Sequence, residues 1–263
     1  MTQKLVEVAR FKNPQQVLTP KTLQKHFTKA KFMLLHIPQV LSRSELAHCR
    51  AILEAGEWEN GNITAGSQSA QVKNNRQLSE DGEAARTARA IVLAGLSKCA
   101  LFYTGALPRK IFPPLFNRYD GSANAFGNHI DNAIRTWAST GAHVRTDLSA
   151  TLFLSEPTEY DGGELIIEDT FGTQTIKLPA GDMILYPSSS VHRVTPVTEG
   201  TRLASFFWIE SMVREDAQRK LLFDLDMAIM SLRAADVGRE RDCEEIIKLT
   251  GCYHNLLRMW CDT

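Results

Sequence analysis

Beyond Pro108 the sequence breaks into short segments rich in apolar, β-branched and aromatic residues, separated by turn chemistry. No other feature narrows the possible folds as far. The segments span 112–119, 125–131, 148–154, 163–169, 174–177, 183–186, 192–197 and 202–209. Between them stand Asp120-Gly121, Asp161-Gly162-Gly163, Pro179-Ala180-Gly181-Asp182 and Glu199-Gly200, residue pairs that favour tight turns or bulges. Strands so short and closely spaced leave no room for crossover helices. They predict a mainly β fold, an antiparallel sandwich or barrel of the jelly-roll type, with helices only at its flanks.

The flanks carry helical periodicity. Ser42 or Ser44 can cap a helix with Leu46, Cys49, Ile52 and Leu53 on one face, and a second helix over 83–103 would use Ile91, Val92, Leu96 and Leu101. A first strand is expected over 33–38, and the Gly-, Asn-, Ser- and Gln-rich stretch 60–82 reads as hairpin or loop. From Ser211 onward Val213, Leu221, Leu222, Leu225, Ile229 and Leu232 recur every three or four residues. After a break at Gly238 come Ile246, Ile247, Tyr253, Leu256, Leu257 and Trp260. These stripes suit either packing on the β core or a homodimer contact through the C-terminal helices. The expected organisation is a basic extension at 1–32, a strand and helical support region at 33–110, a jelly-roll core at 111–211 and a helical region at 212–263.

Composition removes several alternatives. Thirty basic residues balance thirty acidic ones over 263 positions, so nothing global points to nucleic acid. Seven basic side chains against Glu7 alone do concentrate within residues 1–31, where a loosely docked arm is expected. Five scattered cysteines, without a Cys-x-x-Cys pair, suit free thiols in a reducing compartment better than a disulfide scaffold or metal cluster. No apolar run approaches a membrane span, and the N-terminus lacks the compact apolar stretch of a secretory signal. A cytoplasmic chain without a membrane partner is expected.

The chemistry concentrates at Asn128-His129-Ile130-Asp131. On a strand, His129 and Asp131 point to the same face. His192, 63 positions later, opens another strand that a jelly roll can bring alongside. Two histidines and a carboxylate on one face of an octahedral ion leave three positions open, the arrangement used by non-haem Fe(II) oxygenases. His192 could equally be a hydrogen-bonded core residue. Arg202 begins the following strand, ahead of the apolar run 203–208. A buried arginine needs an anion, either an internal Asp or Glu or the far carboxylate of a metal-chelating 2-oxo acid.

The order His129-x-Asp131, His192, Arg202 resembles the Fe(II)/2-oxoglutarate-dependent dioxygenases. The surrounding text is more specific: Pro114-Leu-Phe-Asn-Arg-Tyr119, Arg145-Thr-Asp-Leu-Ser-Ala-Thr-Leu-Phe-Leu-Ser155, Tyr160-Asp-Gly-Gly-Glu-Leu165, and Leu178-Pro-Ala-Gly-Asp182 through Tyr186-Pro-Ser-Ser-Ser190 to His192. With Tyr253-His-Asn-Leu-Leu-Arg258, these stretches are similar to bacterial PKHD-type hydroxylases, relatives of prolyl and lysyl hydroxylases. The resemblance runs from Met33 to the C-terminus. It implies a double-stranded β-helix core, with His129, Asp131 and His192 as Fe(II) ligands and Arg202 on the distal carboxylate of 2-oxoglutarate. It also implies O2 as co-substrate, L-ascorbate to keep the iron reduced, and an unidentified substrate that is hydroxylated while 2-oxoglutarate yields succinate and CO2. Asp131 argues against the halogenating variant, which lacks that ligand.

Tyr119 stands where related hydroxylases line the co-substrate pocket, and alternation along its strand adds Asn117. Prolyl hydroxylases of this fold often place a tyrosine on the strand after His-x-Asp to help hold the distal carboxylate. Phe153 occupies the nearest position here, so Thr151 on the same face is the expected hydroxyl. Trp137, read as an exposed loop tryptophan, and Arg145 are the expected substrate contacts. His143, Arg135 and Asp147 belong to the same loop and can touch substrate or simply solvate it. A non-catalytic iron-binding or oxygen-responsive jelly-roll module is the alternative to a hydroxylase; Arg202 favours the enzyme, because a mere metal binder has no need of a carboxylate clamp.

Overall fold

The computed structural model describes residues 6–7, 34–64, 66, 68–169, 172–235 and 242–262. The basic extension at 1–32 lies outside the described residues except for the two-residue strand β1 (Val6–Glu7), and so does the break expected at Gly238. Strand β2 (Leu35–Ile37) leads into helix α1 (Arg43–Glu54), which Ser42 caps rather than Ser44. The Ser42 hydroxyl accepts from the Glu45 amide while the Glu45 carboxylate accepts from the Ser42 amide, a reciprocal box that starts the helix. Lys98 also donates to Glu45, and it leads the hydrogen bonds that hold this carboxyl down at about 2.

The polar stretch 60–82 is more ordered than its composition suggests. It follows β3 (Trp58–Asn60) and contains β4 (Lys73–Asn74) and β5 (Arg76–Leu78). The single helix expected over 83–103 is two, α2 (Glu83–Ser97) and α3 (Ala100–Ala106). Cys99 takes an extended conformation (φ −95°, ψ 97°) that redirects the chain and sends Leu101 and Phe102 into the core.

Every segment read as a strand contains one: β6 (Pro108–Ile111), β7 (Leu115–Tyr119), β8 (Ala125–His129), β9 (Ile134–Trp137), β10 (Ala142–Arg145), β11 (Leu148–Phe153), β12 (Tyr160–Gly162), β13 (Leu165–Asp169), β14 (Gly172–Ile176), β15 (Met183–Pro187), β16 (Val191–Val194), β17 (Val197–Gly200) and β18 (Arg202–Ser211). Prolines move the boundaries. Pro113 and Pro114 cannot donate to a ladder and delay β7 to Leu115, and Pro196 separates β16 from β17. Strand β6, the hairpin β9–β10 and the pair β12–β17 are additions to the strands read from sequence. Helices α4 (Asp216–Ala235) and α5 (Glu244–Trp260) close the chain and pack on each other.

Two antiparallel sheets face one another. The larger runs β2-β15-β11-β18-β7-β5-β3, with β6 joined to β18 and β1 to β6; the smaller runs β14-β13-β16-β8-β4. This is a double-stranded β-helix flanked by helices. The larger sheet is buried on both faces, which is why β11 has no exposed position. Leu148, Ala150 and Leu152 pack toward α1–α3 with Leu203, Phe207 and Ile209 of β18. The alternate residues, including Phe153 and Ile184, turn toward the smaller sheet. Ser149, Thr151 and Arg202 fall on that inner face by the same alternation. No helix among the described residues is long and apolar enough to cross a membrane.

Candidate metal centre and co-substrate pocket

Strands β8 and β16 are antiparallel neighbours, and their register sets His129 directly opposite His192. Two imidazoles 63 positions apart thereby stand with ring centroids 4.1 Å apart. Asp131 lies beyond the end of β8, so its approach comes from the turn and not from continued strand alternation. One ligand atom from each of His129, Asp131 and His192 falls within 4.8 Å of the others, and His192 Nε2 is 3.7 Å from Asp131 Oδ2.

Neighbouring groups settle how these side chains present themselves. His129 Nδ1 is 2.8 Å from the Gly127 carbonyl, and His192 Nδ1 is 3.0 Å from that of Ser190. A carbonyl only accepts, so each Nδ1 carries its hydrogen, which leaves Nε2 as the atom each ring can offer to a metal. Burial, and after it the proximity of His192, holds the pKa of His129 below the usual histidine value, which favours the neutral ring that a metal needs. The Ser149 hydroxyl donates to Asp131 Oδ2 at 2.6 Å and lies 2.7 Å from the Ser188 hydroxyl. Phe126 stacks on the His129 ring at 3.6 Å, and Tyr186 meets His192 edge-on at 5.2 Å. Two imidazoles and an oriented carboxylate lining one pocket fit Fe(II), and the protein supplies no fourth ligand among the described residues.

The other end of the pocket is built around Arg202, which is 1% exposed. It stands opposite Tyr119 across β18 and β7, with its guanidinium 5.1 Å from the Tyr119 ring and 5.3 Å from that of Phe153. Its Nε and Nη1 have no hydrogen-bond partner, and no carboxylate of the described residues pairs with it. The internal ion pair left open by the sequence is therefore absent among these residues, and the buried cation is available to an anion in the pocket. Gly163 makes space for it: a Cβ there would come within 3.0 Å of Arg202 Cδ, on a backbone at φ +66° that favours glycine.

His129, Asp131, His192, Arg202, Tyr119, Asn117 and Thr151 all line one pocket. Asn117 donates to the Tyr119 hydroxyl at 3.3 Å. Phe153 brings no hydroxyl to Arg202, in keeping with the sequence.

Two residues expected to contact substrate, Trp137 and Arg145, are not among those that line this pocket. Trp137 is not an exposed loop residue; it ends β9 at 4% exposure, packs edge-on against Phe112 at 5.4 Å and lies under the Arg89 guanidinium at 4.8 Å. The loop around it is a β-hairpin whose Trp137 and Val144 close onto Phe112 and Trp208. Arg145 is held bidentately by Asp147 at 2.7 and 2.9 Å and donates to the Ser211 carbonyl, away from the pocket. His143 is exposed, with Nδ1 2.9 Å from the Thr136 hydroxyl. Arg135 does reach the pocket, packed 4.5 Å from the Trp208 ring.

Lys73, Asn75, Ser149 and Tyr186 also line the pocket and were not identified as site residues from sequence. Tyr186 stands in the Tyr186–Ser190 run that precedes His192, and Ser149 shares the alternation of Thr151, so both left a signal. Lys73 and Asn75 sit in the aperiodic stretch 60–82 and left none. Burial, and then repulsion from Arg135, pulls Lys73 down to about 8.

Residues 114–210 match the 2OG-Fe(II) oxygenase superfamily, and residues 216–262 match the PKHD-type hydroxylase C-terminal domain. A PKHD-type hydroxylase of Burkholderia thailandensis is 58% identical over 230 residues, covering 88% of this chain and 100% of the relative. One from Methylobacillus flagellatus is 56% identical over 233 residues with the same coverage. Among solved structures, a Pseudomonas putida prolyl-4-hydroxylase superposes with TM-score 0.50 at 19% identity, over 72% of this chain and 98% of that one. The non-haem α-ketoglutarate-dependent carbocyclase SnoK of nogalamycin biosynthesis gives TM-score 0.50 at 17% identity, over 74% and 85%. At such identities these two structures speak for the fold alone.

Proposed function

Because the chain belongs to the PKHD-type hydroxylases of the 2OG-Fe(II) oxygenase superfamily, we propose that His129, Asp131 and His192 hold its Fe(II) and that Arg202 clamps the distal carboxylate of 2-oxoglutarate. The observation that carries this reading is the buried Arg202 guanidinium with two unpaired nitrogens in the same pocket as the three ligand side chains. Tyr119, Asn117 and Thr151 line the space between these two ends and orient the co-substrate.

Bound Fe(II) supplies the redox chemistry by which O2 and 2-oxoglutarate give succinate, CO2 and a hydroxylated product. The protein contributes position and polarity. The carbonyls of Gly127 and Ser190 fix both imidazole tautomers, Ser149 fixes Asp131, and Arg202 selects a co-substrate of dicarboxylate length. Phe126, Tyr186, Leu165 and Val194 exclude bulk water around the ligands, which strengthens the charge on Arg202 felt by the co-substrate. L-Ascorbate serves as the reductant that keeps the iron ferrous between turnovers. Exposed Leu221 and Leu232 on α4, with Ile247 and Met259 on α5, support a homodimer through the C-terminal helices, which sedimentation would measure.

Succinate release in the presence of Fe(II), 2-oxoglutarate and ascorbate, screened across peptides, amino acids and iron-chelating metabolites, identifies the substrate class by stimulated turnover. Arg202→Ala is expected to weaken 2-oxoglutarate binding by roughly 10- to 100-fold while metal binding stays near wild type. Unchanged co-substrate affinity in that variant would remove the arginine from the site.

A further inference from the structure

Asn75 links β4 to β5 and is 3% exposed, yet neither its amide oxygen nor its amide nitrogen has a hydrogen-bond partner. Burying a primary amide in this state is costly, and a ligand seated in the pocket is one way to complete it. The sheet register explains where the amide lies. Gln77 opposes Asn117 and Arg76 opposes Arg118, so Asn75, the residue just before β5, falls level with Tyr119 when that register is continued by one residue. Tyr119 in turn opposes Arg202 on the far side of β7. Cross-strand neighbours share a face, so Tyr119 and Arg202 lie side by side, and Asn75 at the mouth of β5 lines the same pocket with them. The Asn75 amide lies beside the Tyr119 hydroxyl without a well-formed hydrogen bond to it.

We propose that the Asn75 amide donates to the distal carboxylate of 2-oxoglutarate beside Arg202, supplying the second contact that Phe153 cannot make. The inference rests on the assignment of Arg202 given above. A carboxylate seated on Arg202 has lone pairs beyond those a single guanidinium edge can fill, and Asn75 brings a neutral donor with no charge of its own. Residue 75 lies outside the stretch 114–210 that matches the oxygenase superfamily. The co-substrate site is thus completed by the N-terminal region, through a chain segment whose β4 lies in the smaller sheet and whose β5 lies in the larger.

The test uses the full chain loaded with Mn(II) under anaerobic conditions, with 2-oxoglutarate and oxalate titrated calorimetrically. Oxalate chelates a metal but has no distal carboxylate. Asn75→Ala is expected to weaken 2-oxoglutarate roughly 10-fold and leave oxalate unchanged. Asn75→Asp, nearly isosteric, sets a carboxylate beside Arg202 and is expected to weaken 2-oxoglutarate more than alanine does, again sparing oxalate. Gly61→Ala is an independent probe, since a Cβ at residue 61 would come within 1.9 Å of Asn75 Oδ1 and displace the amide without removing it. It too is expected to weaken 2-oxoglutarate selectively. Equal 2-oxoglutarate affinity in wild type and Asn75→Ala, with Arg202→Ala still impaired, overturns this inference alone. Equal losses for 2-oxoglutarate and oxalate also overturn it, by marking a structural role. Failure of the Mn(II)-loaded wild type to bind 2-oxoglutarate sinks the Arg202 assignment as well.

Discussion

At the metal centre the two histidines are steadied by backbone carbonyls, whereas Asp131 depends on a side chain, Ser149. That difference makes Ser149 the point where a small change should act most selectively. Ser149→Ala removes the donor to Asp131 Oδ2 and leaves the Ser188 hydroxyl without this neighbour, while the fold keeps the same buried β-strand position. Divalent metal affinity is expected to fall roughly 10- to 100-fold, the usual effect of losing a group that orients a ligand. A Mn(II) titration followed by electron paramagnetic resonance reads this directly, and wild-type affinity would show that Asp131 is held by the turn alone. The candidate ligands were legible in sequence because His-x-Asp, a later histidine and an arginine keep a recognisable order. Ser149 and Tyr186 were less so, because nothing in a buried strand distinguishes a residue that supports a ligand from one that fills space. Asn75 was invisible, since the segment that carries it, 60–82, shows no hydrophobic alternation from which its pairing with β7 could be read.

The β9–β10 hairpin shows why the elements were partly misread. Its four-residue arms carry Arg135, Thr136, His143 and Arg145 among their side chains, so polarity outweighed the two residues that anchor it, Trp137 and Val144. Trp137 reads as a ligand-seeking aromatic only while its strand goes unrecognised. Once paired, it is a core residue held between Phe112 and Arg89. Trp137→Ala is accordingly expected to cost about 3–5 kcal/mol in denaturant unfolding, through the cavity it leaves beneath the hairpin. Loss of under 1 kcal/mol with impaired turnover would restore it to the substrate site. The strands of the two main sheets were easier to read, because proline, glycine and Asp-Gly punctuation divides them and because an inner face must be apolar. Their ends shifted where Pro113, Pro114 and Pro196 withhold a ladder hydrogen bond, and the helix over 83–103 was read as continuous because its apolar spacing persists through Cys99 while the backbone turns.

At the scale of the whole molecule, balanced formal charge conceals a cation buried between the sheets. Lys73 is 8% exposed, packs against the rings of Phe126 and Phe206 at 5.4 and 5.9 Å, and donates to Gln77 at 3.2 Å. Burial is the main reason its pKa falls to about 8, with Arg135 adding to the effect and Asp131 and Glu80 opposing it. An unfolded lysine keeps its proton to about pH 10.4. Between these values the unfolded chain binds more protons than the folded one, so this residue makes the protein more stable as pH rises from 8 toward 10.4. The gain amounts to about 3 kcal/mol across the window. Cys49 and Tyr253 act in the opposite sense, because burial pushes both up to about 12 and the unfolded chain releases their protons first. A raw alkaline profile therefore mixes the two signs. The comparison of metal-free wild type with Lys73→Met separates them, since methionine keeps an apolar stem against Phe126 and Phe206 and leaves Cys49 and Tyr253 in both proteins. The stability difference is expected to shift by about 3 kcal/mol in favour of wild type between pH 7 and 10.5. A difference that stays flat with pH would mean that Lys73 keeps an ordinary lysine pKa, and that the pocket carries this cation at no cost to the fold.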